Sequence, residues 1–159
     1  MDFQIKPLPA SSFQHLFDAS DAELAAQGIQ RQTVSECPGT PCRVSLDDAQ
    51  IGETVLLLNY EHLPEDSPYR ASHAIFIREN APQAQPAPNE VPDVIASRLI
   101  SLRFFDENHM MLDPDVLPGS EVGAALAQAF ERPEIAYAHI HNAKPGCFAA
   151  RVERVSGAA

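Results

Sequence analysis

The chain has 159 residues, of which 45% are hydrophobic and 21% charged, and its formal net charge is −11 at pH 7. This length predicts a single domain over residues 1–159, able to bury roughly two thirds of its unfolded surface. The acidic balance excludes nucleic acid and anionic membranes as expected partners, because binding to phosphates depends on positive charge. No window approaches the ~20 apolar residues of a membrane-spanning helix.

The amino terminus and the cysteines predict a cytoplasmic protein. The first seven residues lack the basic and apolar regions of a signal peptide, and the three cysteines, an odd number, favour reduced thiols. The basic residues are nine arginines and only two lysines, Lys6 and Lys144. Arginine suits forked recognition of carboxylate or phosphate, so one or two of these residues could bind a small anionic molecule as a partner. Surface pairing with the surrounding acids is the first expectation for these arginines.

In the first half of the chain the pattern predicts short strands and helices. Residues 3–8 are predicted to form an edge strand, which two small helices follow. The second of these helices should begin at a capping box formed by Ser20 and Glu23 and end at Gly28. The continuous apolar run 54–60 is bounded by turn residues and predicts a strand in the middle of a sheet.

In the middle of the chain two predicted strands flank an irregular segment. Residues 73–78 have the composition of a strand, and residues 99–105 predict another, paired in a hairpin with 110–112. Between them, residues 79–92 are rich in proline and predict an exposed loop. Neither flank is long enough for an independent core, so we expect the loop to lie within one domain and the strands to share one sheet.

The carboxy-terminal part predicts a helix and then a hairpin. Ser120 is placed to cap a helix over residues 121–130, and the hairpin arms are residues 135–142 and 147–155. Hairpins without alternation of strand and helix favour an α+β fold with an antiparallel-rich or mixed sheet and a few short helices.

This hairpin carries the catalytic candidates His139, His141 and Cys147. The two histidines are two residues apart and therefore share one face of a strand. A four-residue turn would pair Asn142 with Cys147 and direct the thiol away from both imidazoles. A five-residue turn would place Cys147 opposite His141, within about 3 to 4 Å. The sequence leaves both registers open, and the alternative for Cys147 is a small buried hydrophobe.

The same two histidines also suit a zinc or iron site, with a third ligand from His73, Cys42 or a carboxylate. Their spacing resembles the ligand pair of cupins, but residues 142–145 lack the glutamate of that pattern. Cys37 and Cys42 are spaced C-x4-C, yet no second pair of ligands stands at a recognised spacing. We therefore predict no metal and no cofactor, and keep a metal-dependent enzyme using His139 and His141 as an alternative to a simple polar face.

Another polar cluster surrounds the start of the strand at residue 73, where hydroxyl, guanidinium and imidazole groups could hold an anion. The alternative is that Arg70 ties down its own loop. The leading hypothesis is an enzyme or binder of small anionic molecules, whose pocket draws on these groups and on the two hairpin histidines. A non-catalytic protein that presents a sheet edge or the loop 79–92 to a partner is the alternative. The candidate ligand-binding residues are Arg43, Tyr69, Arg70, His73 and Arg103.

Several long runs resemble the bacterial domain-of-unknown-function family 1203, and together they span nearly the whole chain. The resemblance implies a single-domain bacterial protein, but it supplies no activity, cofactor or catalytic residue. Cys37 lies outside the runs, which weakens the C-x4-C zinc hypothesis. The runs are Pro41 to Leu46, Gly52 to His62, Ser67 to Arg78, Ser101 to Arg103, Phe105-Asp106, Met110-Met111 and His139 to Arg151.

Overall fold

The computed structural model describes residues 1–155 and shows two antiparallel sheets with three short α-helices. The strands are β1 (Phe3–Lys6), β2 (Gln30–Thr33), β3 (Thr54–Leu63), β4 (Ala71–Arg78), β5 (Leu99–Phe105), β6 (Met111–Pro118), β7 (Tyr137–Asn142) and β8 (Phe148–Arg154). The helices are α1 (Asp21–Ala26), α2 (Asp93–Ala96) and α3 (Val122–Ala129).

The larger sheet has five strands in the order β1-β8-β7-β5-β6, and the smaller has three in the order β2-β3-β4. This architecture confirms the predicted α+β class with antiparallel pairing and few short helices. The strands on either side of the loop 79–92 lie in different sheets, however, so the expectation of one shared sheet is wrong. None of the helices within residues 1–155 is long and apolar enough to cross a membrane.

The amino-terminal elements follow their local sequence signals. The edge strand β1 pairs with β8, as predicted for an edge strand. At α1 the Glu23 backbone N–H donates to Ser20 Oγ (3.1 Å), and the Ser20 N–H donates to Glu23 Oε2 (3.0 Å), which confirms the capping box. Gly28 follows the helix with φ +74°, the left-handed conformation that ends a helix.

The smaller sheet is built around β3, which lies between β2 and β4 as its apolar run predicts. Strand β3 is longer than predicted and continues to Leu63 through a register irregularity between Tyr60 and Leu63. That extension carries His62 beyond the end of the apolar run. Leu56 and Leu58 of β3 pack with Ile75 and Ile77 of β4 in one core, which also includes Phe148 of the larger sheet.

The proline-rich loop 79–92 is tied to the body of the protein. The backbone N–H of Ala84 donates to the Val44 carbonyl (2.9 Å), and that of Asn89 donates to the Phe3 carbonyl (2.9 Å). Phe3 returns a bond from its own N–H to Asn89 Oδ1 (3.2 Å). The loop is mostly exposed but is held against β1 at several points.

Between β6 and α3 the chain turns in a 3-10 helix at residues 119–121, which contradicts one predicted cap. Ser120 lies inside this turn, and neither it nor the N-cap residue Glu121 makes a side-chain cap to α3. Gly119 packs against α2, and a Cβ atom built on it would lie 2.0 Å from the Ile95 carbonyl oxygen. That close approach of two backbones requires glycine.

The final hairpin, β7 and β8, adopts the four-residue turn and contains one bulge. His141 lies opposite Phe148, and the Asn142 N–H donates to the Cys147 carbonyl (2.9 Å). One step further along, Ile140 lies opposite Ala150, so Ala149 is the extra residue of a β-bulge. His139 and His141 therefore face away from Ile140, which packs with α2 and α3 in the core of the larger sheet.

Candidate functional site

Three histidines from the two sheets converge between β3 and β7. His139 and His141 point from β7 toward the end of β3, where the extension of that strand places His62. One ring nitrogen of each histidine lies within 4.8 Å of those of the other two. The His62 and His141 rings are closest, with centroids 4.9 Å apart. Phe148 stacks on His62, and Phe105 packs beside His139, so aromatic rings enclose the group on two sides.

Each of these rings keeps a buried nitrogen without a hydrogen-bond partner among the described residues. These atoms are Nδ1 of His62, Nδ1 of His139 and Nε2 of His141. The other nitrogen of His141, Nδ1, lies 2.9 Å from the carbonyl oxygen of Gly146. When Nδ1–H donates to that carbonyl, Nε2 carries the free lone pair of a neutral imidazole.

The surroundings of the three rings oppose protonation. The pKa of His139 falls to about 2, first through burial and then through the neighbouring His141 and His62. Burial also lowers the pKa of His141 to about 3, against the opposing effect of the Gly146 carbonyl. The pKa of His62 falls to about 4, first through burial and then through the positive charge of Arg103. All three side chains are therefore neutral near pH 7, the form in which imidazole binds a metal.

The sequence predicted the pair on β7 but not its partner. The predicted third ligands lie elsewhere: Cys42 accepts from the Arg78 backbone N–H at 3.3 Å, and His73 Nε2 lies 3.1 Å from the Pro145 carbonyl. His62 directly follows the apolar run of β3, in the segment that resembles the family. His62 and Tyr60 both contact Phe148, as alternation along β3 places them, so the sequence missed His62 because β3 extends past its apolar run.

On the other side of the hairpin, Cys147 contacts Arg43 rather than a histidine. The four-residue turn sets Cys147 opposite Asn142, so of the two registers that the sequence left open the one that pairs Cys147 with His141 does not form. The thiol sulfur instead lies 2.9 Å from Arg43 Nη2 and 3.5 Å from Asn142 Nδ2. Both neighbouring groups donate hydrogen bonds, so the sulfur acts as an acceptor.

Arg43 is buried, with 2% of its surface exposed, in an unusual set of contacts. Its Nε donates to the Phe148 carbonyl (2.7 Å), and its Nη1 donates to the Pro41 carbonyl. Among residues 1–155 its polar partners are thus two carbonyls and one sulfur, and none is a carboxylate. Burial lowers the pKa of Arg43, and the Cys147 sulfur acts in the opposite direction.

These groups line a cavity of about 520 Å³ at the junction of the hairpin, β4 and the segment after α2. Lys144 and Arg98 add two positive charges, although Arg98 is already paired with Asp48 at 2.6 Å. None of the described residues that line the cavity is acidic, in a chain whose net charge is −11. Asn142, 6% exposed, lines the wall and has an Oδ1 atom without a partner among the described residues. Apolar walls come from Pro41, Leu57, Phe76 and Leu99.

The remaining candidates lie at three different places. His73 lines the cavity, and both its ring nitrogens lie 3.1 Å from backbone carbonyl oxygens. Arg70 is exposed and pairs with Glu61 and Asp66, each at 3.2 Å. Tyr69 is exposed and packs edge-on against Phe105. Arg103 is half-buried beside His139 and donates to Ser101 Oγ at 3.2 Å.

The single pocket expected from the sequence is therefore divided. Arg43, His73 and Cys147 share the cavity, whereas His139 and His141 face the opposite side of β7 with His62. Arg70 belongs to neither group, because its exposed side chain pairs with Glu61 and Asp66. The alternation of side chains along β7 separates the histidine cluster from the cavity, because the odd-numbered residues face β3 and Asn142 faces the cavity.

Comparison with known proteins gives one family. A family model described as a protein of unknown function (DUF1203) matches residues 39–154, a range that contains His62, Arg43 and the final hairpin. No curated protein and no solved structure matches the chain.

Proposed function

Since the chain belongs to the DUF1203 family, whose function is unknown, we propose a function from the geometry of its cavity. The chain binds a small anionic molecule there, beside the Cys147 sulfur, which is placed to act as a nucleophile. The observation that carries this proposal is the buried Arg43 guanidinium, which has a cysteine sulfur where a carboxylate would ordinarily stand.

The first step of the argument concerns the charge of Arg43. A guanidinium stays protonated in proteins, and a buried charge without a counter-charge is strongly destabilising. The two carbonyls satisfy some of its N–H groups but carry no net charge. Two negative groups can stand opposite Arg43 in this cavity: the thiolate form of Cys147 and an anionic ligand.

The second step concerns the thiol. The thiolate is the nucleophilic form of cysteine, and the Arg43 guanidinium directs Nη2 at the Cys147 sulfur from 2.9 Å. The Asn142 amide, directed at the same sulfur, adds a second donor to the negative atom. All three cysteines are free, so the proposal implies a reducing compartment such as the cytoplasm.

The third step concerns the ligand. A cavity of about 520 Å³ lies within the ordinary range for small-molecule sites. Its cationic rim selects a carboxylate or phosphate, and its apolar wall accommodates a short hydrocarbon part. The acidic remainder of the surface repels the same molecules, so attraction is confined to this opening.

The proposal is tested by alkylating the protein with iodoacetate, which is anionic, and iodoacetamide, which is neutral. In both reactions the sulfur forms a bond to carbon and iodide leaves with the electron pair of the carbon–iodine bond. The exposed Cys37 is an internal control, and peptide mass spectrometry gives the rate at each cysteine. We expect the iodoacetate to iodoacetamide rate ratio at Cys147 to exceed that at Cys37 about tenfold, equivalent to about 1.4 kcal/mol.

A charge variant on the rim sharpens this test. Lys144 is exposed on the hairpin turn, so Lys144→Glu leaves the buried contacts in place. We expect it to slow iodoacetate at Cys147 while the iodoacetamide rate stays close to that of the unmodified chain. Equal rate ratios at Cys147 and Cys37 in the unmodified chain would refute anion selection by the cavity.

A further inference from the structure

The three-histidine cluster lies apart from the cavity and has no part in the chemistry proposed there. His139 and His141 are 2% and 1% exposed, yet each retains a ring nitrogen without a partner among residues 1–155. Leaving such a polar atom buried and unpaired costs about 1–3 kcal/mol. Each of the three rings has such an atom, and one nitrogen of each ring lies within 4.8 Å of those of the other two, which points to something that binds all three rings.

We propose that His62, His139 and His141 bind one divalent transition-metal ion, and that zinc is the ion that this donor set suits best. Three imidazole ligands leave one position of a tetrahedral zinc ion, which water or hydroxide fills. The bond from His141 Nδ1 to the Gly146 carbonyl is the outer contact that typically fixes a metal-binding imidazole in the correct tautomer.

The composition of the site argues for zinc over magnesium or calcium. The donors are nitrogens, and the cluster contains no carboxylate among the described residues, whereas hard cations require oxygen ligands. Arg103 and Arg151 flank His139 on the neighbouring strands. Their positive charges weaken the binding of a cation that is held only by electrostatic attraction. Imidazole lone pairs bind zinc through donation, and the nearby arginines favour hydroxide or another anion in the fourth position.

The position of the site gives the ion a structural consequence. His62 belongs to the smaller sheet, and the other two ligands belong to the larger one. One ion would therefore join the two sheets at the end of β3, where the pairing of that strand with β4 is interrupted by a register irregularity. Because the ligands come together only in the folded chain, zinc binding should stabilise the fold.

The test uses the full chain, freed of metal with a chelator, dialysed, and then titrated with zinc, cobalt(II) or magnesium chloride. We expect about one equivalent of zinc to be retained after desalting, a rise in melting temperature with zinc, and no effect of magnesium. Bound cobalt should show the visible absorption of a tetrahedral ion without a sulfur-to-cobalt charge-transfer band. Retention of less than about a tenth of an equivalent of zinc, or a sulfur band, would overturn the proposal.

Two variants assign the ligands. His62→Phe keeps a ring that stacks on Phe148 and removes both nitrogens, so it should fold and lose zinc retention and the zinc-dependent rise in melting temperature. His15→Ala, on the exposed surface, should retain zinc like the unmodified chain. Full zinc retention by a folded His62→Phe would overturn the assignment, and the titration of the unmodified chain decides the proposal even if that variant fails to fold. Alkylation of Cys147 is a separate readout, so failure here leaves the cavity proposal standing.

Discussion

At the scale of single residues, the contact between Arg43 and Cys147 makes a prediction about stability. If the sulfur is a thiolate that balances the buried guanidinium, Cys147→Ser replaces a charge with a neutral hydroxyl and leaves Arg43 uncompensated. We expect a loss of about 2–4 kcal/mol in the free energy of unfolding, measured by urea denaturation at pH 7.5 under reducing conditions. Cys37→Ser, at an exposed site, should change it by less than about 0.5 kcal/mol. Equal effects of the two substitutions would show that Cys147 carries no charge.

Single residues also show where local pattern was sufficient and where it was not. The shared face of His139 and His141 follows from strand alternation alone, and the structure places them together. His62 joins them because β3 continues past its apolar run to Leu63, an extension that depends on pairing with β4 and that the polar residues after Tyr60 do not indicate. The partnership of Arg43 with Cys147 links positions 104 residues apart, so no local signal reports it.

At the scale of elements, two glycines near α3 form a matched pair. A methyl group at Gly119 would lie 2.0 Å from the Ile95 carbonyl oxygen, so Gly119→Ala must push the 3-10 turn away from α2. We expect a loss of about 1–3 kcal/mol in the free energy of unfolding by urea denaturation. At Gly123, inside α3, the nearest contact would be 3.5 Å from Val91 Cγ2, and Ala favours the helix by roughly 0.5–1 kcal/mol. Gly123→Ala should therefore stabilise, and a neutral Gly119→Ala would contradict the close packing of α2.

Elements with strong local signals were predictable, and those formed by tertiary contacts were not. The capping box of α1 contains both of its bonding partners within four residues, so sequence alone identifies it. Ser120 has the right residue type for a cap, but the packing of Gly119 against α2 continues the chain as a 3-10 turn through that position. Strand β2 is polar and exists because it pairs with β3, so its own residues give little indication of it.

At the scale of the whole molecule, the shared core predicts that the two sheets unfold together. Phe148 of the larger sheet packs with Leu56, Leu58 and Ile75 of the smaller one, so neither sheet keeps a complete core alone. Tyr60 and Tyr137 report on the smaller and the larger sheet, respectively. The test uses two variants, one with Tyr60 and the other with Tyr137 as its only tyrosine. With chelator present, the urea midpoint measured by tyrosine fluorescence should equal the midpoint measured by far-UV circular dichroism in each variant. An earlier loss of the Tyr60 signal would show that the smaller sheet unfolds independently.

The α+β class could be predicted because apolar runs, turns and the absence of strand–helix alternation are properties of segments. The division into two sheets could not, because it depends on which strands pair across the loop 79–92. The bonds from Ala84 and Asn89 that hold that loop against the body join distant positions, so no local pattern indicates them. The same limit applies to the candidate site residues. Which of them share one pocket depends on the folded chain and cannot be predicted from any single segment.

The bulge at Ala149 and the four-residue turn together determine on which face of the hairpin each side chain of β8 lies relative to those of β7. If the turn took in Asn142 as a fifth residue, Cys147 would stand opposite His141 and its thiol would lie on the side of the imidazoles. The pairing of Asn142 with Cys147 therefore keeps a sulfur and an imidazole group on separate faces of the hairpin.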